Sequence, residues 1–216
     1  MSDRALPEPV IETVTRYGFE EAVDVLSEAF FDYPVMRFVI GEAGDDYPRR
    51  LRHLVSFFTE ARFARQDLVL AVVKDERMAA VANINLPRER SVEFPDGRDP
   101  LEPHRQRVWN DLGPDARDRY EAYGEATAHC VFPEPHYHLG MIGVRRDSAG
   151  GGHARRLLDH LHSLSAAHPR SCGVSLATEN PRNVSLYEHF GYSIVGHERV
   201  GDMETWGFFR ADPSES

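Results

Sequence analysis

Three consecutive glycines, Gly150, Gly151 and Gly152, stand directly before an amphipathic run. A glycine turn at a helix start leaves several backbone N–H groups without partners and lets a ligand come close to the chain. The helix dipole adds partial positive charge at the same place, so the turn is a seat for a phosphate-bearing ligand. Ala154, Leu157, Leu158, Leu161 and Leu164 recur three or four apart, which predicts a helix with one buried face. Ahead of the turn, His136 to Val144 reads as a strand, and Arg145 to Ser148 as a charged turn. A Walker loop needs Gly-Lys-Ser/Thr, whereas Gly152 is followed by His153 and Ala154. A Rossmann turn needs its third glycine and an acidic residue about twenty residues on. Neither pattern is met, and an ordinary glycine turn before an ordinary helix is the competing reading.

A second chemistry-bearing stretch runs from Leu176 to Tyr192 and carries Asn180, Asn183 and Tyr187. Asn183 and Tyr187 are four apart, hence on one helix face. Asn180 is also a natural helix cap and Tyr187 a natural core aromatic. Taken together, the two stretches resemble the GNAT superfamily of N-acetyltransferases. Its acyl-CoA loop reads Gln/Arg-x-x-Gly-x-Gly/Ala, and here Gly152 and Ala154 fill the last two defined positions. Ala149 stands where Gln or Arg is usual, so a side-chain contact is missing while the backbone cradle is kept. The resemblance implies acetyl-CoA as cosubstrate, held by the loop Ala149, Gly150, Gly151, Gly152, His153 and Ala154 and by Asn180 and Asn183. It implies that the backbone of Ile142, Gly143 and Val144 pairs with the pantetheine arm, with a donor near Ile142 polarising the acyl carbonyl. It also implies a mixed, mostly antiparallel sheet of six to seven strands, splayed between those ending at Val144 and Thr178, with helices on both faces. A weaker likeness links Ala29 to Arg37, with its Asp32-Tyr33-Pro34, to the puromycin N-acetyltransferases.

Acyl transfer to an amine needs a neutral nucleophile, an exit for its proton and a donor for the departing thiolate. Tyr187 matches the family position near the sulfur and is the candidate acid. The base stays open between the pair His136 and His138 and the pair Glu121 and Glu125, four apart on a predicted helix; a solvated surface is the plainer reading of the glutamates. The region matching a strand glutamate of some relatives offers Ser175 instead. A His-x-His pair can bind metal, but no third ligand is indicated, so no metal is expected.

The elements that position these residues follow from the pattern along the chain. Residues 1–9 read as a polar tail, 10–210 as one domain and 211–216 as a second tail. Val10 to Arg16 predicts a strand, Phe19 to Phe30 a helix stopped by Pro34, and Tyr47 to Arg65 a second helix. Asp67 to Val73 and Met78 to Leu86 predict a hairpin. Residues 87–134 interrupt the pattern with a helical insertion from about Leu101 to Val131, where a cover over an acceptor site would sit. Tyr120 and Tyr123 within it, and Tyr33, are the candidate acceptor-binding residues, with simple helix packing as the alternative for the first two. Cys172 to Thr178, Tyr192 to Arg199 and Met203 to Arg210 predict strands, and Pro181 to Phe190 a short helix.

Composition sets the outer limits. Apolar content of 41% and charged content of 28% are those of a soluble globular chain. A net charge of −10 argues against a nucleic-acid binder and is compatible with a cationic amine. Cys130 and Cys172 form no framework, which points to a reducing cytoplasm. No apolar run reaches membrane-spanning length, so no membrane partner is expected. The favoured reading is an acetyl-CoA-dependent N-acetyltransferase of a small-molecule primary amine, with the acceptor's identity open and a homodimer possible. The alternatives are a protein Nα- or lysine acetyltransferase and a non-catalytic acyl-CoA-binding domain.

Overall fold

The computed structural model describes residues 8–88, 98–128 and 132–213. Its strands are β1 (Val10–Thr13), β2 (Leu68–Lys74), β3 (Arg77–Asn85), β4 (Tyr137–Val144), β5 (Gly173–Thr178), β6 (Ser193–Val200) and β7 (Met203–Ala211). They form one seven-stranded sheet in the order β1-β2-β3-β4-β5-β7-β6. Every neighbouring pair is antiparallel except β4 with β5. The helices are α1 (Phe19–Ala29), α2 (Pro34–Ile40), α3 (Tyr47–Ala64), α4 (Glu102–Leu112), α5 (Pro114–Thr127), α6 (His153–Ala167) and α7 (Val184–His189).

The sheet is covered on both faces, and the strand sequences show why. Val69 and Ala71 of β2 face a core built by α1 to α5, with Val23, Leu26, Leu51, Leu54 and Val55. Leu70 and Val72, one residue out of step, face a second core with Leu157, Leu158 and Leu161 of α6 and Phe208 of β7. A strand buried on both sides must be apolar almost throughout, as β2 and β3 are. Burying one such leucine stabilises the fold by about 1.5–3 kcal/mol.

Several predicted boundaries move. The first strand ends at Thr13 rather than Arg16, giving way to a 3-10 turn over Arg16–Gly18. Pro34 ends the first helix as expected but also opens α2, because proline at a helix start gives up an N–H that would be unpaired anyway. The single insertion helix is two: Gly113, at φ 88°, closes α4, and Pro114 opens α5. Cys130 and Val131 lie outside the described residues. A 3-10 turn, Pro181–Asn183, precedes α7, and β7 takes in Ala211.

The cleft that matters begins where β4 and β5 part. They pair only at Tyr137–Val174, His138–Ser175 and Leu139–Leu176. Beyond these, β4 runs on to Val144 and β5 to Thr178 with their facing edges unpaired. Beside the split, the β3–β4 register steps from Asn83–Met141 to Ile84–Leu139, leaving Gly140 as a bulge. A bulge re-aims the chain. Leu139 accordingly faces the α6 core and Met141 the opposite one.

Candidate active site

Outside the split lies an open groove of about 460 Å³, walled by Phe30, Tyr33, Ile142, Gly143, Val144, Arg146, Ala149, Asn180 and Asn183. Gly150 and Gly152 both take positive φ, 80° and 71°, and Gly152 is the N-cap of α6. Left-handed backbone of this kind is what glycine supplies without strain. The N–H groups of Gly152, His153, Ala154 and Arg155 bond to no described backbone acceptor, and no acidic residue occupies the first turn. A Cβ on Gly150 or Gly152 would meet nothing within 4 Å, so the outer side of the loop is open. The helix end therefore presents free donors to whatever lies above it.

Two residues of this region also pack into the fold. The imidazole of His153 is turned inward, 4% exposed with Nδ1 unpartnered, and what it offers a ligand is its main chain. Gly143 packs against α1, since a Cβ there would lie 2.7 Å from that of Ala29. Its edge toward β5 is nonetheless unpaired, as are those of Ile142 and Val144.

Inside the split lies a cavity of about 280 Å³. Phe30, Tyr33, Ile142 and Asn183 line both spaces, so groove and cavity meet at one mouth. Tyr187, Glu179, His138, Arg62, Phe58 and the insertion residues Tyr120 and Tyr123 line the inner part. The tyrosines of α5 thus reach the cavity and also pack: Tyr120 lies 5.9 Å from the ring of Phe58 and 5.1 Å from that of Trp109.

Glu179 directly follows β5, at 5% exposure. Tyr123 donates its hydroxyl to Glu179 Oε1 at 2.6 Å, and Thr205 does so at 2.9 Å. Burial raises the carboxyl pKa above its ordinary value, against the lowering effect of these donors. Tyr187, 7% exposed, is pushed up to about 12 by burial and by the neighbouring Glu179. It is a neutral phenol at any working pH, able to donate. His138 is pressed the other way, to about 4, by burial and by Arg62, and its Nδ1 lies 2.8 Å from Ser175 Oγ. Tyr33 sits at the mouth with its hydroxyl 2.8 Å from Thr178 Oγ1, bracing the end of β5. Burial raises the pKa values of Tyr33, Tyr120 and Tyr123 as well.

The asparagines do two jobs. Asn180 accepts from the Arg182 N–H at 3.1 Å, as a cap should, while still lining the groove. Asn183 donates to Thr178 Oγ1 at 3.3 Å and faces both spaces. The open choice of base narrows. Glu121 pairs with Arg117 on an exposed surface, Glu125 is exposed, and His136 bonds the Glu134 carbonyl outside the cavity. Of the four, only His138 reaches the site. Glu179 and Arg62, which the sequence did not single out, reach it too. Glu179 carried one usable signal, a lone acid directly after the predicted strand Cys172 to Thr178.

A fold split at one parallel strand pair, with a glycine-capped helix beside the split, is the architecture of an acyl-CoA-dependent transferase. The model of the acetyltransferase (GNAT) family matches residues 28–192, and the chain belongs to that family. Similar solved structures include a protein from Corynebacterium glutamicum described as histone acetyltransferase HPA2 and related acetyltransferase. It is 20% identical at TM-score 0.70, over 97% of this chain and 99% of that one. Arylalkylamine N-acetyltransferase 2 from Aedes aegypti is 13% identical at TM-score 0.61, over 96% and 100%. The Drosophila melanogaster polyamine N-acetyltransferase is 14% identical at TM-score 0.59, over 94% and 98%. The family uses acetyl-CoA.

Proposed function

We propose that the chain transfers an acetyl group from acetyl-CoA to a small-molecule primary amine by direct attack at the mouth where groove and cavity meet. That junction is the observation that carries the reading. The groove fits the cosubstrate: unpartnered N–H groups at the start of α6 suit a pyrophosphate, and the free edge of β4 suits a pantetheine amide. Arg146 lines the same groove and supplies the side-chain charge that Ala149 lacks. Bound there, acetyl-CoA supplies the activated acyl group.

The remaining work belongs to the chain. Glu179 takes the proton that the amine loses, directly or through one water; a raised pKa makes it a stronger base than an exposed carboxylate. The backbone N–H groups near Ile142 stabilise charge on the acyl oxygen. Tyr187 donates to the sulfur as it leaves, and the products are the N-acetylated amine and the free thiol. Tyr120 and Tyr123 support a small acceptor, because α5 brings them into the wall of the cavity where an open peptide groove would need free space.

A panel of small primary amines, set beside peptides with a free N-terminus or lysine, tests this by thiol release and product mass. Small amines should turn over at least about tenfold better in kcat/KM. Turnover confined to peptides would make the chain a protein acetyltransferase, and no turnover with either would make it a binding domain.

A further inference from the structure

The inner cavity carries a cation, Arg62, that the fold pairs only at long range. Arg62, near the end of α3, has a side chain 12% exposed, and its Nε has no hydrogen-bond partner among the described residues. The carboxylate beside it, Asp67, lies 3.9 Å away from Nη1 to Oδ2, beyond hydrogen-bond reach. Asp67 is engaged through Oδ1, which accepts from the Leu86 N–H at 2.9 Å and from Arg88, while its Oδ2 faces Arg62 without a hydrogen-bond partner among the described residues. On the cavity side, Arg62 lies under the bulge: a Cβ at Gly140 would stand 3.1 Å from Nη2. Burial lowers the pKa of Arg62 to about 10, which leaves it charged at neutral pH. A buried guanidinium with free donors is costly unless something completes it.

We propose that the acceptor carries a carboxylate as well as its amine, and that Arg62 holds this carboxylate at the inner end of the cavity. The substrate class is then the amino acids and related zwitterions. This rests on the N-acetyltransferase reading above and narrows it. The two charges of the cavity are laid out for such a molecule. Arg62 lies against Gly140, next to the last β4–β5 pair Leu139–Leu176, whereas Glu179 stands three residues beyond Leu176. An amine at the Glu179 end therefore has its acid at the Arg62 end and its apolar body against Phe58 and Tyr120. A planar fork of donors suits a carboxylate, which a lysine in the same place would meet only as a point charge.

Matched pairs test this: phenylalanine against 2-phenylethylamine, tyrosine against tyramine, methionine against its decarboxylated amine. The quantity read is the kcat/KM ratio of acid to decarboxylated amine, in wild type, Arg62→Gln and Arg62→Lys, with melting temperature recorded for each. Wild type should favour the acid-bearing member by about 10- to 100-fold, the range of charge-assisted hydrogen bonds. Arg62→Gln should erase most of that ratio through KM, and Arg62→Lys should restore part of it. Preference for the decarboxylated member in wild type would overturn this proposal and leave the N-acetyltransferase reading standing. An unchanged ratio in Arg62→Gln, with both rates and the melting temperature lowered together, would also overturn it and make Arg62 structural. Absence of thiol release with every amine would overturn the underlying reading and this one with it.

Discussion

Glu179 and Tyr187 both line the cavity, and the proton affinity of the phenol depends on the carboxylate. Tyr187→Phe keeps the ring and removes only the donor, so kcat should fall by about 10²- to 10⁴-fold while acetyl-CoA affinity changes little. Near-normal turnover would return Tyr187 to a packing role beside Tyr192 and Phe208. Glu179 makes a pH prediction whose sign follows from burial. Its folded pKa lies above the ordinary 4.5, so the protonated form favours the folded state. That stability is fully present below the unfolded value and lost as pH rises through the raised folded value. Glu179→Gln cannot ionise, and its melting temperature should exceed that of wild type at neutral pH, with the gap closing in acid. Wild-type kcat/KM should rise with pH through the same raised value, and the variant should be slow throughout. A variant that loses stability at neutral pH, or keeps its rate, would remove Glu179 from the role of base. Sequence made Tyr187 legible through its neighbours Asn180 and Asn183. Glu179 stayed hidden because a carboxylate between Thr178 and Asn180 reads as a helix-start residue until the strand beneath it is seen to be buried.

At the scale of elements, the glycine loop is the part most open to a simple test. Acetyl-CoA at about 100 times its Kd should stabilise the folded chain by about 2.7 kcal/mol, or roughly 5–10 °C in Tm. Gly152→Val places a branched side chain at φ 71° and in the open space above the helix end. Left-handed strain of about 1–2 kcal/mol should lower the Tm of the free protein by roughly 2–8 °C, and the acetyl-CoA shift should be lost. A full shift in the variant would mean that the seat lies elsewhere. Strand, turn and helix were legible here because periodicity and glycine act locally. The α2 helix was not, because Pro34 signals both a stop and a start. The break at Gly113–Pro114 is written in the dipeptide itself, which ends one helix and opens the next.

Across the whole molecule, the proposed site arises from a failure of pairing. The two cores hold the sheet between helical layers, yet β4 and β5 share only three register positions before they diverge. The divergence opens the groove on one side and the cavity on the other, with Tyr33, Ile142 and Asn183 between. No sequence spacing encodes this directly; the expectation of a splayed sheet came from resemblance to a family. Arg62 belongs to the same category, since a basic residue in α3 reads as a solvated helix face until Gly140 is folded over it. In the proposed reaction, amine and thioester meet at this junction with no stop for the acetyl group on the protein. Initial rates measured while both substrates are varied decide it. The account predicts double-reciprocal lines that intersect, the mark of both substrates being bound together. Parallel lines, with acetyl recovered on the protein after acetyl-CoA alone, would contradict it.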